Sequence, residues 1–80
     1  MEIKDRVRQF ILTNFYVADA NALADDTSLL DQGIIDSTGV LEVISFLESE
    51  FAIAVADDEM LPDNLDSIAR ITAFVAKKKA

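Results

Sequence analysis

Eighty residues, 51% of them hydrophobic, with 15 acids against 7 bases, give a formal net charge of −8. The chain has no Cys, His or Trp. That excludes a thiol nucleophile, an imidazole base, a Ser-His-Asp or Cys-His arrangement and a Cys/His metal site. Residues 1–80 read as a single domain with a small core, because a chain this short buries only roughly 60 to 65% of its unfolded surface.

In chain order, Ile3, Val7, Phe10, Ile11 and Phe15 follow helical spacing, which predicts a first helix from about 2 to 16. Residues 17–32 are polar and acidic and read as a long loop, pinned to the core by Leu23, Leu29 and Leu30. A second helix runs from Ser37 to about Glu50, with Val40, Val43, Ile44, Leu47 and Phe51 on one stripe and Leu41, Glu42, Phe46 and Glu48 off it. Phe51 to Ala56 is the longest apolar run, at six residues. It reads as a connector laid against the core, since a lone strand finds no partner here. Asp57 to Leu61 forms a short acidic turn of helix stopped at Pro62. Asn64 then caps a last helix with Asp66 in its first turn and Ile68, Ile71, Phe74 and Val75 inward. Three longer helices and one short one predict an all-α fold, a small four-helix bundle. Its expected core is Val7, Phe10, Val40, Ile44, Leu47, Ile68 and Phe74.

Charge distribution narrows the partners. From Gln9 to Ala69 there is no Lys or Arg, while that span carries thirteen Asp or Glu. Nucleic acid and anionic membrane surfaces need the opposite sign. Proteins with basic patches fit. The six-residue apolar run is far short of the ~20 needed to span a bilayer. The charged start, Met1 to Arg6, lacks the apolar core of an export signal, so a cytoplasmic protein is expected. Asp25-Asp26 and Asp57-Asp58-Glu59 do not fit the spacing of a calcium loop and read as solvated loop and helix start. Lys77 to Lys79 reads as a solvated tail that complements the negative end of the last helix.

Ser37 is the residue with the most chemical promise. It places a primary alcohol after an acid, at the start of an amphipathic helix, past the Gly33 turn. Ser and Asp are both preferred helix caps, so Ser37 taken alone reads first as an ordinary cap, and Asp36 can serve as one too. With no imidazole or thiol nearby, anything that makes Ser37 react must come from outside the chain.

The block Gly33-Ile34-Ile35-Asp36-Ser37, followed by Leu41-Glu42-Val43 and Leu47-Glu48-Ser49-Glu50-Phe51, resembles the acyl carrier protein family and the similar peptidyl and aminoacyl carrier domains. The resemblance covers essentially the whole chain. It implies a carrier that is not an enzyme, with 4'-phosphopantetheine transferred from coenzyme A onto Ser37 and acyl intermediates held on its thiol as thioesters. It implies as partners a phosphopantetheinyl transferase, an acyl- or aminoacyl-activating ligase, and acyltransferases or synthases with basic docking patches. Asp36 is then read by the transferase, and Asp36, Leu41, Glu42 and Glu48 form the partner-binding surface. A monomer suits a carrier that visits several enzymes.

Thr38 and Gly39 depart from the fatty-acid-synthesis members, where Leu and then an acid are usual. Gly39 is expected to leave a bare spot beside the arm. The Asp-Ser-x-Gly pattern looks more like D-alanyl and other stand-alone carriers working beside a dedicated adenylating ligase. Fatty-acid, polyketide or other specialised biosynthesis, an aminoacyl cargo, and an unmodified acidic helical adaptor all remain open at this point.

Overall fold

The computed structural model describes residues 2–17, Asn21 and 23–79, with the side chains at 62 and 63 outside the description. The expected loop positions 18–20 and 22 therefore lie outside the described residues. Helices α1 (Ile3–Asn14), α2 (Ser37–Phe51), α3 (Pro62–Leu65) and α4 (Ile68–Lys79) follow one another, with a 3-10 turn at Asp57–Glu59 between α2 and α3. Among the described residues there is no strand, and no helix is long and apolar enough to cross a membrane. The fold is all-helical. Three of its helices are long, and α3 is a single four-residue turn.

Apolar residues three and four apart on each long helix converge on one core. Val7 and Ile11 come from α1, Val43, Ile44, Leu47 and Phe51 from α2, and Ile68, Ile71, Phe74 and Val75 from α4. Phe10 and Val40, expected inside, are only partly buried. Phe10 instead stacks on Phe46 with ring centroids 4.1 Å apart, so Phe46, off the buried stripe, closes the α1–α2 seam. The end of α2 is set by Ala52, whose left-handed backbone (φ 56°, ψ 44°) cannot continue a helix. Residues 52–56 then run without regular structure, as a connector.

The long loop is held by only part of its expected anchor set. Leu23 and Leu29 are buried, at 4% and 0% exposure, but Leu30 is 37% exposed and faces outward. Polar ties do the rest. Arg8 donates to the Leu23 carbonyl and the Asp25 carboxylate, and Lys4 lies 3.2 Å from the same carboxylate. The Asp25 carbonyl accepts the Ala69 amide at 2.7 Å, so the loop satisfies one of the orphan donors at the start of α4.

Two expected boundaries move. Pro62 opens α3 instead of stopping a helix, in keeping with the first helical position, where no backbone donor is required. Asn64 lies inside α3 and its side-chain amide donates to the Glu59 carbonyl at 2.9 Å, so it is not the cap of the last helix. Ser67 takes that place: its hydroxyl accepts the Arg70 amide at 3.1 Å, and the residue is 3% exposed. Asp66 accordingly stands before α4, not in its first turn. The Lys tail is not wholly solvated, because Lys78 pairs with Glu59 at 2.8 Å and folds the end of α4 onto the 3-10 turn.

Candidate functional site

The site is built on the start of α2. Gly33, at φ +70°, turns the chain in the left-handed region that glycine adopts without strain. Behind it, the Leu29 carbonyl accepts both the Ile34 amide at 3.0 Å and the Ile35 amide at 3.2 Å. Ile35 is then driven into the core, at 3% exposure. With Ile35 anchored inside, the next residues emerge at the surface: Asp36, Ser37 and Thr38 are all exposed.

Asp36 is the N-cap. Its backbone is extended, and its Oδ1 accepts the Gly39 amide at 2.7 Å. That geometry separates the roles the residue pair left open. Asp36 satisfies the helix terminus, and Ser37, as the first helical residue, does not. Among the described residues, no hydrogen bond engages the Ser37 hydroxyl. It is exposed, at the positive end of a 15-residue helix, where a negative group gains about 0.3 to 1 kcal/mol.

Gly39 does not leave a bare spot at the surface. It is buried, and a Cβ placed there would come within 3.0 Å of the Phe15 ring and 3.2 Å of the Ile35 side chain. The glycine lets the end of α1 close against the first turn of α2. It points inward, away from any group carried on Ser37.

Beside Ser37 lies an open apolar hollow of about 350 Å³, lined by Leu30, Ser37, Val40, Leu41, Met60, Leu61 and Leu65. Leu41 and Leu61 are 57% and 49% exposed, so both present apolar surface to solvent. Leu41, off the buried stripe of α2, borders the hollow beside Ser37. Leu30, Met60 and Leu61 complete the patch, and sequence reasoning missed them as site residues. No sequence signal set them apart, since Leu29 lies off any helical stripe as Leu30 does and is buried. Glu42 is exposed, one position along from Leu41. Glu48 is exposed too, but its carboxylate accepts the Val55 amide at 3.0 Å and ties the connector to α2. Asp36, Ser37, Leu41 and Glu42 share one end of α2, and Glu48 stands two turns away.

Elsewhere, charge is spent on the scaffold. The Arg8 guanidinium, and then the Lys4 ammonium, hold the Asp25 carboxyl below its ordinary value. The Lys78 ammonium, and then the Ala56 amide, do the same for Glu59. Among the described residues no group of His, Cys, Asp and Glu is placed to hold a metal ion, the runs Asp25-Asp26 and Asp57-Asp58-Glu59 included.

The start of α2 thus presents an exposed alcohol with no hydrogen bond among the described residues, next to an acidic cap and an open apolar hollow. The chain belongs to the phosphopantetheine-binding carrier family: the family described as "Phosphopantetheine attachment site" matches residues 5–75. It is 24% identical over 78 residues to the probable acyl carrier protein PigG of Serratia sp. (strain ATCC 39006), covering 98% of this chain and 90% of that one. It is 34% identical over 55 residues to the D-alanyl carrier protein of Abiotrophia defectiva, covering 69% and 70% respectively. To the D-alanyl carrier protein of Streptococcus suis (strain 05ZYH33) it is 29% identical over 77 residues, covering 96% and 95%. Members of this family are not enzymes: they carry 4'-phosphopantetheine covalently and work with phosphopantetheinyl transferases and with ligases or synthases.

Proposed function

We propose that residues 1–80 form a single carrier domain in which Ser37 bears the 4'-phosphopantetheine arm, and that the arm carries acyl intermediates between enzymes of a specialised biosynthetic route in the cytoplasm. The observation that carries this reading is the free, exposed Ser37 hydroxyl next to a cap that Asp36 already supplies. In loading, Ser37 Oγ attacks phosphorus in the diphosphate of coenzyme A, the bond to 3',5'-adenosine bisphosphate breaks, and the serine proton passes to a base on the transferase. The chain itself offers no imidazole or thiol for that duty. Once bound, the group supplies the thiol that this cysteine-free chain lacks, for thioester chemistry.

Asp36, Leu41 and Glu42 suit a docking surface for the transferase and later enzymes: an apolar centre with an acidic edge, matched to basic patches. Glu48 contributes charge from further along the helix. A helix-terminus effect of at most about 1 kcal/mol is too small to select one serine, so selection rests on this surface. A small four-helix bundle acting as a monomer fits such traffic.

A second reading, an aminoacyl carrier loaded by a dedicated adenylating ligase, is favoured by the two D-alanyl carrier relatives and by Gly39 in the Asp-Ser-x-Gly block. Intact-protein mass after incubation with coenzyme A and a broad-specificity transferase tests the attachment. One phosphopantetheine on the parent and none on Ser37→Ala is expected. A folded parent left unmodified by two different transferases would favour an unmodified acidic adaptor. Because Asp36 is the cap, Ser37→Ala is expected to change stability by less than about 0.5 kcal/mol, so loss of loading will not be confused with loss of fold.

A further inference from the structure

The approach to Ser37 is tied to the far side of the hollow by one residue. Asp66 sits just beyond α3, between Leu65 and the Ser67 cap of α4. Its Oδ2 accepts the Ser28 hydroxyl at 2.7 Å, its Oδ1 accepts the Leu30 amide at 2.9 Å, and its carbonyl accepts the Leu29 amide at 2.7 Å. The Ser28 hydroxyl in turn accepts the Asp31 amide at 3.2 Å. From there the connection reaches the site in one step, because the Leu29 carbonyl takes the amides of Ile34 and Ile35, the residues that lead into Asp36 and Ser37. Leu30, whose amide Asp66 holds, lines the hollow together with Leu61 and Leu65 from the segment that leads up to Asp66.

We propose that Asp66 is a positioning residue for loading: it holds the Leu30 side of the hollow and the turn into Ser37 in register with α3, and so sets the surface a transferase must read. The inference rests on Ser37 being the attachment residue. Buried hydrophobic contacts do not duplicate this role. Leu29 anchors the loop at one point, but Leu30 only borders the open hollow and stays 37% exposed, so apolar contact alone fixes it weakly. A carboxylate accepting two donors from neighbouring turns of loop fixes direction as well as distance. Its effect falls on recognition, because Asp66 touches no reacting atom.

The test is steady-state loading of the full chain by a broad-specificity transferase with coenzyme A in excess, varying the carrier, for the parent, Asp66→Ala, Asp66→Asn and Ser28→Ala. Asp66→Ala removes both side-chain hydrogen bonds and is expected to raise KM for the carrier roughly ten-fold or more, with kcat changed by no more than about two-fold. Asp66→Asn keeps one acceptor oxygen and falls between it and the parent. Amide exchange at Leu30 and Ile35 should quicken in Asp66→Ala while that of buried Ile71 is unchanged. A folded Asp66→Ala with parental KM overturns the inference. Should that variant fail to fold, Ser28→Ala decides it: a KM raised by about two- to three-fold with kcat kept supports the positioning role, and a parental KM overturns it. A loaded parent with unaffected variants removes this inference alone, whereas a parent that is never loaded removes the assignment of Ser37 and this inference with it.

Discussion

Replacing Gly39 by Ala sets two ordinary effects against each other. Glycine in a helix interior is worse than alanine by roughly 0.5 to 1 kcal/mol, and in a first turn by less, so propensity alone favours the substitution by about 0.5 kcal/mol. The added Cβ meets Phe15 Cε1 at 3.0 Å, Ile35 Cγ2 at 3.2 Å and Asp36 Oδ1 at 3.4 Å. Ile35 is locked in the core, and Asp36 is held by its cap bond, so Phe15 is the neighbour that must yield. Its ring sits edge-on to Phe10 at 5.9 Å, and swinging it outward forfeits part of an aromatic pair worth about 0.5 to 1.5 kcal/mol, within a typical overpacking cost of about 1 to 3 kcal/mol. The expected net effect is destabilisation by roughly 1 kcal/mol, read by urea denaturation with an unchanged m-value. In a Phe15→Leu background, which removes the ring edge, the same Gly39→Ala change should become neutral or stabilising. If Gly39→Ala stabilises the parent, or destabilises both backgrounds equally, the close approach of Phe15 is not what keeps a glycine at this position.

Asp36→Ala removes the α2 cap and should lower stability by about 1 kcal/mol, with Asp36→Asn recovering most of it, both measured by chemical denaturation. Leu29→Ala should cost roughly 2 to 5 kcal/mol, whereas the adjacent Leu30→Ala should stay within about 0.5 kcal/mol; equal effects would refute the assignment of one leucine to the core and the other to the hollow. Acid should weaken the fold through Asp25 and Glu59, whose folded values lie below the ordinary 3.8 and 4.5. The unfolded chain then binds more protons in that range, so the contribution is complete above the ordinary values and is lost as pH falls through them toward the lower folded ones. Denaturation between pH 7 and pH 3 should show a shallower decline for Asp25→Asn/Glu59→Gln than for the parent, and parallel curves would refute it.

Much of this architecture is legible in the sequence wherever periodicity and burial agree. The α2 stripe from Val43 to Phe51 has helical spacing, and the helix starts at Ser37 as expected. The failures share a cause: several residues were each competent for a role that only tertiary contact could allot. Asn64, Asp66 and Ser67 can all cap a helix. Asp66 is claimed by the loop and Asn64 by the Glu59 carbonyl, which leaves Ser67 for α4. Pro62 is as good an opening as a stop. Leu29 and Leu30 are indistinguishable without a period to place them, and Glu48 reads as a solvated acid until the Val55 amide reaches it. At the site, the same ambiguity between Asp36 and Ser37 is settled by one bond, from the Gly39 amide to the Asp36 carboxylate.

That bond has a consequence for how the molecule endures repeated use. Because the terminus of α2 is closed by a neighbour, the Ser37 oxygen is mechanically idle: among the described residues nothing leans on it. Esterifying it breaks no internal contact, and hydrolysing the ester restores none. Bare and armed forms would then differ in stability by no more than the roughly 0.3 to 1 kcal/mol that a negative phosphodiester gains at the helix N-terminus, and a partner would tell them apart by feeling for the arm itself. The carrier is a peg whose wood does not bend when the coat is hung.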